Sequence, residues 1–333
     1  MSDDREVTHE RTPDITELKL EPSNNVMYMT VTGTEISAMN ALRRVAIAEV
    51  PTMAIDMVEI STNTSVISDE MLAHRLGLVP LKADSSKFKY AYECGCGGVG
   101  CPECQATFAL KAACTQPGGT MKVTTDMLQR IGAQRKDLPV DVTSRDILLA
   151  ILACKGKGDR ERPLKSTQEI NLIAVAKKGI GKEHAKWSPV VVAVPTPFAE
   201  ITLNPQRLKE VRRKKGESDD PKAQSYKAFL QEFCSVCPPK LLKCDDYNDT
   251  IIIEDDSHCI FCDECVQFAR EHQYPDLISV TSRPDEYRFM LETTGALSPQ
   301  DTVIQAIDII QGKLSALLNE LDIISSDDDA MRD

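Results

Sequence analysis

The sequence predicts a mixed α+β protein in which metal-binding loops supplement the hydrophobic core. Three observations predict it. Short runs of alternating apolar and polar residues read as strands, and two amphipathic patterns between them read as helices. A long heptad-patterned helix lies near the end of the chain. Of the twelve cysteines, Cys114 and Cys154 stand apart as ordinary buried thiols, and the other ten fall into two compact groups.

Residues 15–20 and 26–31 are expected to be strands joined by a turn, where proline and asparagine punctuate the chain. A helix is expected over 34–49. Ile36, Met39, Leu42, Val45 and Ala46 recur there at three-to-four spacing, Pro51 closes it, and Asn40, Arg43 and Arg44 occupy its polar face. Residues 53–61 alternate as a strand does. A second helix is expected over 68–76, with Asp69 and Glu70 at its positive dipole end and Gly77 placed to stop it. Strands are expected at 106–113, 170–178 and 190–194, the last a run of β-branched residues. Residues 145–153 carry a short helical pattern, and the polar, charged stretch 204–226 reads as a linker or surface excursion. Tyr287, Phe289 and Leu291 alternate with Arg288, Met290 and Glu292, giving one further strand.

In the last helix Val303, Ile307, Ile310, Leu314, Leu317 and Leu321 keep a heptad seam. Ile304, Ile309 and Leu318 form a second apolar stripe. Two arrangements satisfy such a helix: a central place in a core, or one stripe against its own domain and the other against a partner. The tail at 326–333, with Asp327, Asp328 and Asp329, is expected to be disordered.

At 333 residues the chain is long enough for two or three units. No apolar stretch approaches the roughly 20 residues that span a membrane, and the polar start lacks the apolar core of a signal peptide. A soluble, intracellular protein with no membrane role is expected. A net charge of −12 argues against direct DNA binding by this chain alone, since phosphate recognition needs a basic footprint. The one basic run, Arg212, Arg213, Lys214 and Lys215, reads as a solvated loop or a nuclear-import signal.

Clustered cysteines in a reducing compartment point to metal rather than to disulfides. Cys94, Cys96, Cys101 and Cys104 have the density of a structural zinc site, and Gly95, Gly97, Gly98 and Gly100 let the backbone double back between them. Four thiolates fill a tetrahedron and leave no open position for catalysis. Gly95 to Gly100 also spells the dinucleotide-binding pattern, but Lys89-Tyr90-Ala91-Tyr92-Glu93 precedes it and Cys101-Pro102-Glu103-Cys104 follows, not a buried strand and a helix. In the second group, Cys259, Cys262 and Cys265 have ferredoxin-core spacing, and Cys237 precedes Pro238 as a remote fourth ligand does. This set suits one [3Fe-4S] or [4Fe-4S] cluster or a second zinc ion. The five histidines show no metalloprotease pairing, Gly156-Lys157-Gly158 is too short for a P-loop, and no nucleophile elbow is present.

Three segments carry a family resemblance. Asn40-Ala41-Leu42-Arg43-Arg44-Val45-Ala46-Ile47-Ala48-Glu49-Val50-Pro51-Thr52 resembles the helix that marks α-like RNA polymerase subunits. Asp69-Glu70-Met71-Leu72-Ala73-His74-Arg75-Leu76-Gly77-Leu78-Val79-Pro80-Leu81 resembles their second signature segment, and Gly181-Lys182-Glu183-His184-Ala185-Lys186-Trp187 a third. Within that family the loop at 93–104 is similar to the zinc loop of the polymerase II member, and the second cysteine group is similar to the ferredoxin-like insertion of archaeal D subunits.

The resemblance implies a non-catalytic, nuclear polymerase subunit. It implies a discontinuous dimerisation domain (1–50, 191–206 and 270–325), an inserted mainly β domain (51–190) with the zinc loop, and a ferredoxin-like cysteine-rich insertion with its linker (207–269). The implied partners are the small α-like subunit, met through Ile36, Met39, Leu42, Val303, Ile307, Ile310, Leu314, Leu317 and Leu321, and other polymerase subunits. Among these, the second-largest would dock near Arg43, Arg44, His74 and Arg75.

Overall fold

A computed structural model of the chain describes residues 12–21, 23, 25–116, 118–132, 139–154, 167–216, 225–245, 247–248 and 250–330. In chain order the regular elements are β1 (Asp14–Leu20), β2 (Val26–Thr32), α1 (Ile36–Ala48), β3 (Thr52–Asn63), α2 (Asp69–Gly77), β4 (Leu81–Ala83) and β5 (Gln105–Ala113). There follow β6 (Thr120–Thr124), β7 (Leu128–Ile131), β8 (Val140–Val142), β9 (Leu148–Ala153), β10 (Glu169–Gly179) and β11 (Val190–Leu203). The remainder is α3 (Pro205–Gly216), α4 (Tyr226–Val236), β12 (Leu242–Asp245), β13 (Thr250–Ile253), α5 (Glu264–Glu271), β14 (Ile278–Thr293) and α6 (Pro299–Ala330). One four-stranded sheet runs β1-β2-β14-β11, with β2 burying Met27, Met29 and Val31 and β14 burying Tyr287, Phe289 and Leu291.

The chain divides into two compact units. The larger takes Leu18–Tyr28, Asn40–Val194 and Met290–Asp333. Its main sheet has the order β3-β10-β5-β7, and Ala174 of the central β10 faces Val58 on one side and Phe108 on the other. Ile170, Leu172, Ala174 and Ala176 are all buried, at the period of two a half-covered strand requires. They share a core with Met53, Ile55, Leu72, Leu76 and Phe88. Ser68 caps α2, its side chain accepting from the Met71 N–H at 3.4 Å.

The helical pattern expected at 145–153 is corrected here: Leu148–Ala153 is a strand, paired antiparallel with β6 and burying Leu149, Ala150 and Leu152. A short, continuous apolar run fits either period, and the pairing with β6 decides it.

The smaller unit takes Met1–Glu17, Met29–Met39 and Pro195–Phe289. Its core is aromatic: Phe229 and Phe233 on α4 meet Phe268 on α5, with Tyr274 and Leu277 beside them. The stretch 204–226, expected as a linker or surface excursion, begins with a helix. Pro205–Gly216 is a helix, because Asn204 accepts from the N–H groups of Gln206 and Arg207 and Pro205 supplies a pre-set first turn. Glu210 adds ion pairs with Arg207 and Lys214, which hold its carboxyl down at about 2. Residues 217–224 of that stretch lie outside the described residues.

In α6, Thr302, Val303 and Ala306 are buried, while residues 311–321 are all exposed. The helix runs on to Ala330 and so takes in Asp327, Asp328 and Asp329 of the acidic tail. No proline stands in this stretch to stop it, so backbone hydrogen bonding continues. Residues 331–333 lie outside the described residues.

Candidate metal centres and interaction surfaces

The first cysteine group forms a knuckle in the turns that precede β5. The sulfurs of Cys94, Cys96, Cys101 and Cys104 all lie within 4.8 Å of one another. Individual pairs are separated by 3.5 Å (Cys94 and Cys101), 3.7 Å (Cys96 and Cys104) and 3.8 Å (Cys101 and Cys104). A tetrahedron with metal–sulfur arms of about 2.3 Å has edges of about 3.8 Å, so one ion fits between these four atoms. The backbone explains the glycines. Gly97, Gly98 and Gly100 all have positive φ, and a Cβ on Gly100 would strike the Gln105 side chain.

Backbone N–H groups of Gly100 and Gly98 point at Cys96 and draw its thiol down to about 7. Burial acts oppositely on Cys104 and pushes its thiol up to about 12. Residues 95–100 form turns with no strand before them and no helix after, so the glycine pattern there has no nucleotide-binding context.

Cys237, Cys259, Cys262 and Cys265 line one small apolar cavity with Leu241, Leu242, Phe261 and Val280. They are spread more widely than the first set, which among the described residues is the only group of three or more such ligands within 4.8 Å of one another. Two bulky or branched residues of the loop, Phe261 and Asp263, sit at φ of 54° and 59°. That conformation is costly for non-glycine residues and persists where the surroundings impose it. Here it wraps 259–265 around the cavity. Burial raises the thiols of Cys259 and Cys265, the latter to about 11, whereas Cys262 is exposed. Cys234 and Cys244 belong to the same stretch of sequence but pair with each other, sulfur to sulfur, at 2.8 Å. Spacing along the chain carries no signal of that pairing.

The expected surface residues separate into two classes. Ile307, Leu314, Leu317 and Leu321 are exposed along α6, as are Ile304 and Leu318, while Ile310 is half-buried. Ile36 is exposed on α1. Met39, Leu42 and Val303, expected at the same seam, are buried within the chain itself. Arg43 and Arg44 line a cleft with Glu49, Lys182 and Lys313, Arg43 donating to Asn40 at 3.0 Å and Lys313 pairing with Glu49. His74 is exposed on α2. The guanidinium of Arg75 instead donates to the carbonyls of Leu148 and Leu149, so it ties α2 to β9.

The third signature-like segment has a structural role that sequence reasoning misses. A Cβ on Gly179 would overlap the Trp187 ring, and one on Gly181 the carbonyl of Ile47. Trp187 Nε1 donates to the Lys177 carbonyl at 3.0 Å, Thr52 Oγ1 donates to the Trp187 carbonyl at 2.6 Å, and the Lys182 N–H donates to the Ala48 carbonyl at 2.7 Å. The segment thereby fixes α1 against the end of the main sheet of the larger unit.

Residues 28–314 match the family profile described as the RNA polymerase Rpb3/Rpb11 dimerisation domain. The chain is 38% identical to the DNA-directed RNA polymerase II subunit rpb3 of Dictyostelium discoideum, over 91% of this chain and 93% of that one. It is 33% identical to subunit 3 of the DNA-directed RNA polymerases II, IV and V of Arabidopsis thaliana, over 89% and 88%. Identity to the DNA-directed RNA polymerase subunit Rpo3 of Methanosphaera stadtmanae is 27%, over 87% and 92%.

Proposed function

We propose, because the chain belongs to the family of RNA polymerase subunits built on the Rpb3/Rpb11 dimerisation domain, that it is the α-like core subunit of a nuclear RNA polymerase II. It is a non-catalytic part of that complex, as its similarity to Rpb3-type polymerase subunits supports. Its work is assembly. It pairs with the small α-like subunit and then docks the second-largest subunit.

The exposed apolar stripe of α6 carries this reading. Leu314, Leu317 and Leu318 are 56%, 58% and 60% exposed, with Ile304, Ile307 and Leu321 continuing the stripe. Covering a half-exposed Leu or Ile contributes about 1 kcal/mol, so the stripe supplies roughly 6 kcal/mol before the cost of association. A helix with this face uncovered requires a partner of matching pattern. Arg43, Arg44 and His74, solvent-accessible and on two of the three segments that carry the family resemblance, are the proposed contacts to the second-largest subunit.

The first knuckle would hold zinc, which would order its loop. The second set would hold a [3Fe-4S] or [4Fe-4S] cluster, because its wider spread suits one thiolate per iron better than four around a single ion. The cavity presents these sulfurs beside an apolar wall of Leu241, Leu242 and Val280.

Mass spectrometry of proteins co-isolated with the tagged chain from its own cells tests the assignment. The two largest subunits of polymerase II are expected in near-equal amount. Recovery of the large subunits of polymerase I or III, or of no polymerase subunit, would contradict it.

A further inference from the structure

Cys234 and Cys244 form a site of a different kind from the two metal centres. Cys234 lies near the end of α4, and Cys244 sits in β12 opposite Ile251. Both pack on the aromatic core of the smaller unit and are half-buried. Their sulfurs are 2.8 Å apart, and Cys244 Sγ is also 3.1 Å from the Leu230 carbonyl. The sulfurs of the zinc-type knuckle stand 3.5 Å or more apart. At 2.8 Å the pair is too close to flank an ion in tetrahedral geometry, whose edges measure about 3.8 Å. It is, however, close enough for a bond between the sulfurs themselves.

We propose that Cys234 and Cys244 form a reversible disulfide, separate from either metal centre, with a low-molecular-weight disulfide of the glutathione type as oxidant. One cysteine, as thiolate, attacks a sulfur of the oxidant, breaks its S–S bond and releases one thiol. The second cysteine attacks the mixed disulfide, forms the Cys234–Cys244 bond and releases the second thiol. Two electrons pass from the protein to the oxidant, and the two protein protons end on the released thiols. Burial raises the Cys234 thiol, which makes the first step slow and the reduced form persistent in a reducing compartment. Closing the bridge ties the end of α4 to β12 across 235–243, the segment that carries Cys237. Oxidation would thus stiffen the lobe beside the second cysteine set without consuming any of its four sulfurs.

Peptide mapping tests this directly. The full-length chain is equilibrated in glutathione buffers of rising oxidised fraction, trapped with N-ethylmaleimide and digested without reduction. The expected result is a peptide pair joined through Cys234 and Cys244 that grows with the oxidised fraction and vanishes with dithiothreitol. Fragmentation assigns the bond, and the Cys237→Ala chain is expected to retain it. In the Cys244→Ala chain, Cys234 is expected to carry glutathione or maleimide instead. Complete alkylation of both residues across the whole range, or a Cys234–Cys237 bond in the unaltered chain, would overturn the proposal. Should a variant fail to fold, the unaltered chain by itself still separates these outcomes.

Discussion

Cys96 and Cys104 occupy one knuckle and experience opposite fields: backbone N–H groups favour the thiolate of Cys96, and burial favours the thiol of Cys104. A single divalent ion would resolve the conflict by replacing the protons on all four sulfurs. Changing Cys101→Ser would remove a candidate ligand whose sulfur lies 3.5 Å from Cys94 and 3.8 Å from Cys104. Metal analysis is expected to show one equivalent of zinc fewer per chain, and an unchanged zinc content would remove the site. The second set has its own readout. Anaerobic preparation is expected to give a brown protein with visible absorbance, whereas a colourless protein with a second equivalent of zinc would assign those four sulfurs to zinc. At this scale the candidate ligands are legible in the sequence, because chelation needs close spacing and spacing is written in the chain. The Cys234–Cys244 pair is not legible, because it arises from α4 packing on β12. Nor is the internal commitment of Arg75, which depends on where the carbonyls of Leu148 and Leu149 come to lie.

Helix α6 shows what pattern reveals at the scale of an element and what it leaves out. The seam is legible as a heptad, but Val303 lies in the buried first turns and the exposed stripe begins after it. Leu317→Asp would place a carboxylate in the covered face of a dimer, at a cost of about 3 kcal/mol or more in pairing. Co-purification with the small α-like subunit is expected to fall by about 100-fold or more. Undiminished recovery of the partner would exclude this face as the seam. The same substitution is expected to leave the fold of the isolated chain intact, since Leu317 is exposed in it. Two elements escape sequence reasoning for identifiable reasons. In β9 an unbroken apolar run hides the strand period. In α3 the density of lysine and arginine suggests a linker, while the Asn204–Pro205 start and the ion pairs of Glu210 make a helix.

For the whole molecule, the two cores are built differently. The larger unit relies on the main sheet and its aliphatic inner face. The smaller unit gathers an aromatic core against short strands, beside a cysteine-lined cavity. A small core of that kind benefits from a metal staple, which supplies stability that buried area alone does not. Among the described residues nothing covers α6 over 311–321, and the proposed assembly role rests on that exposure. Its most direct test is light scattering of the full-length chain co-expressed with the small α-like subunit of its own organism. A stable one-to-one pair is expected, with the chain alone self-associating or poorly soluble. A well-behaved lone monomer that ignores the small subunit would contradict the account.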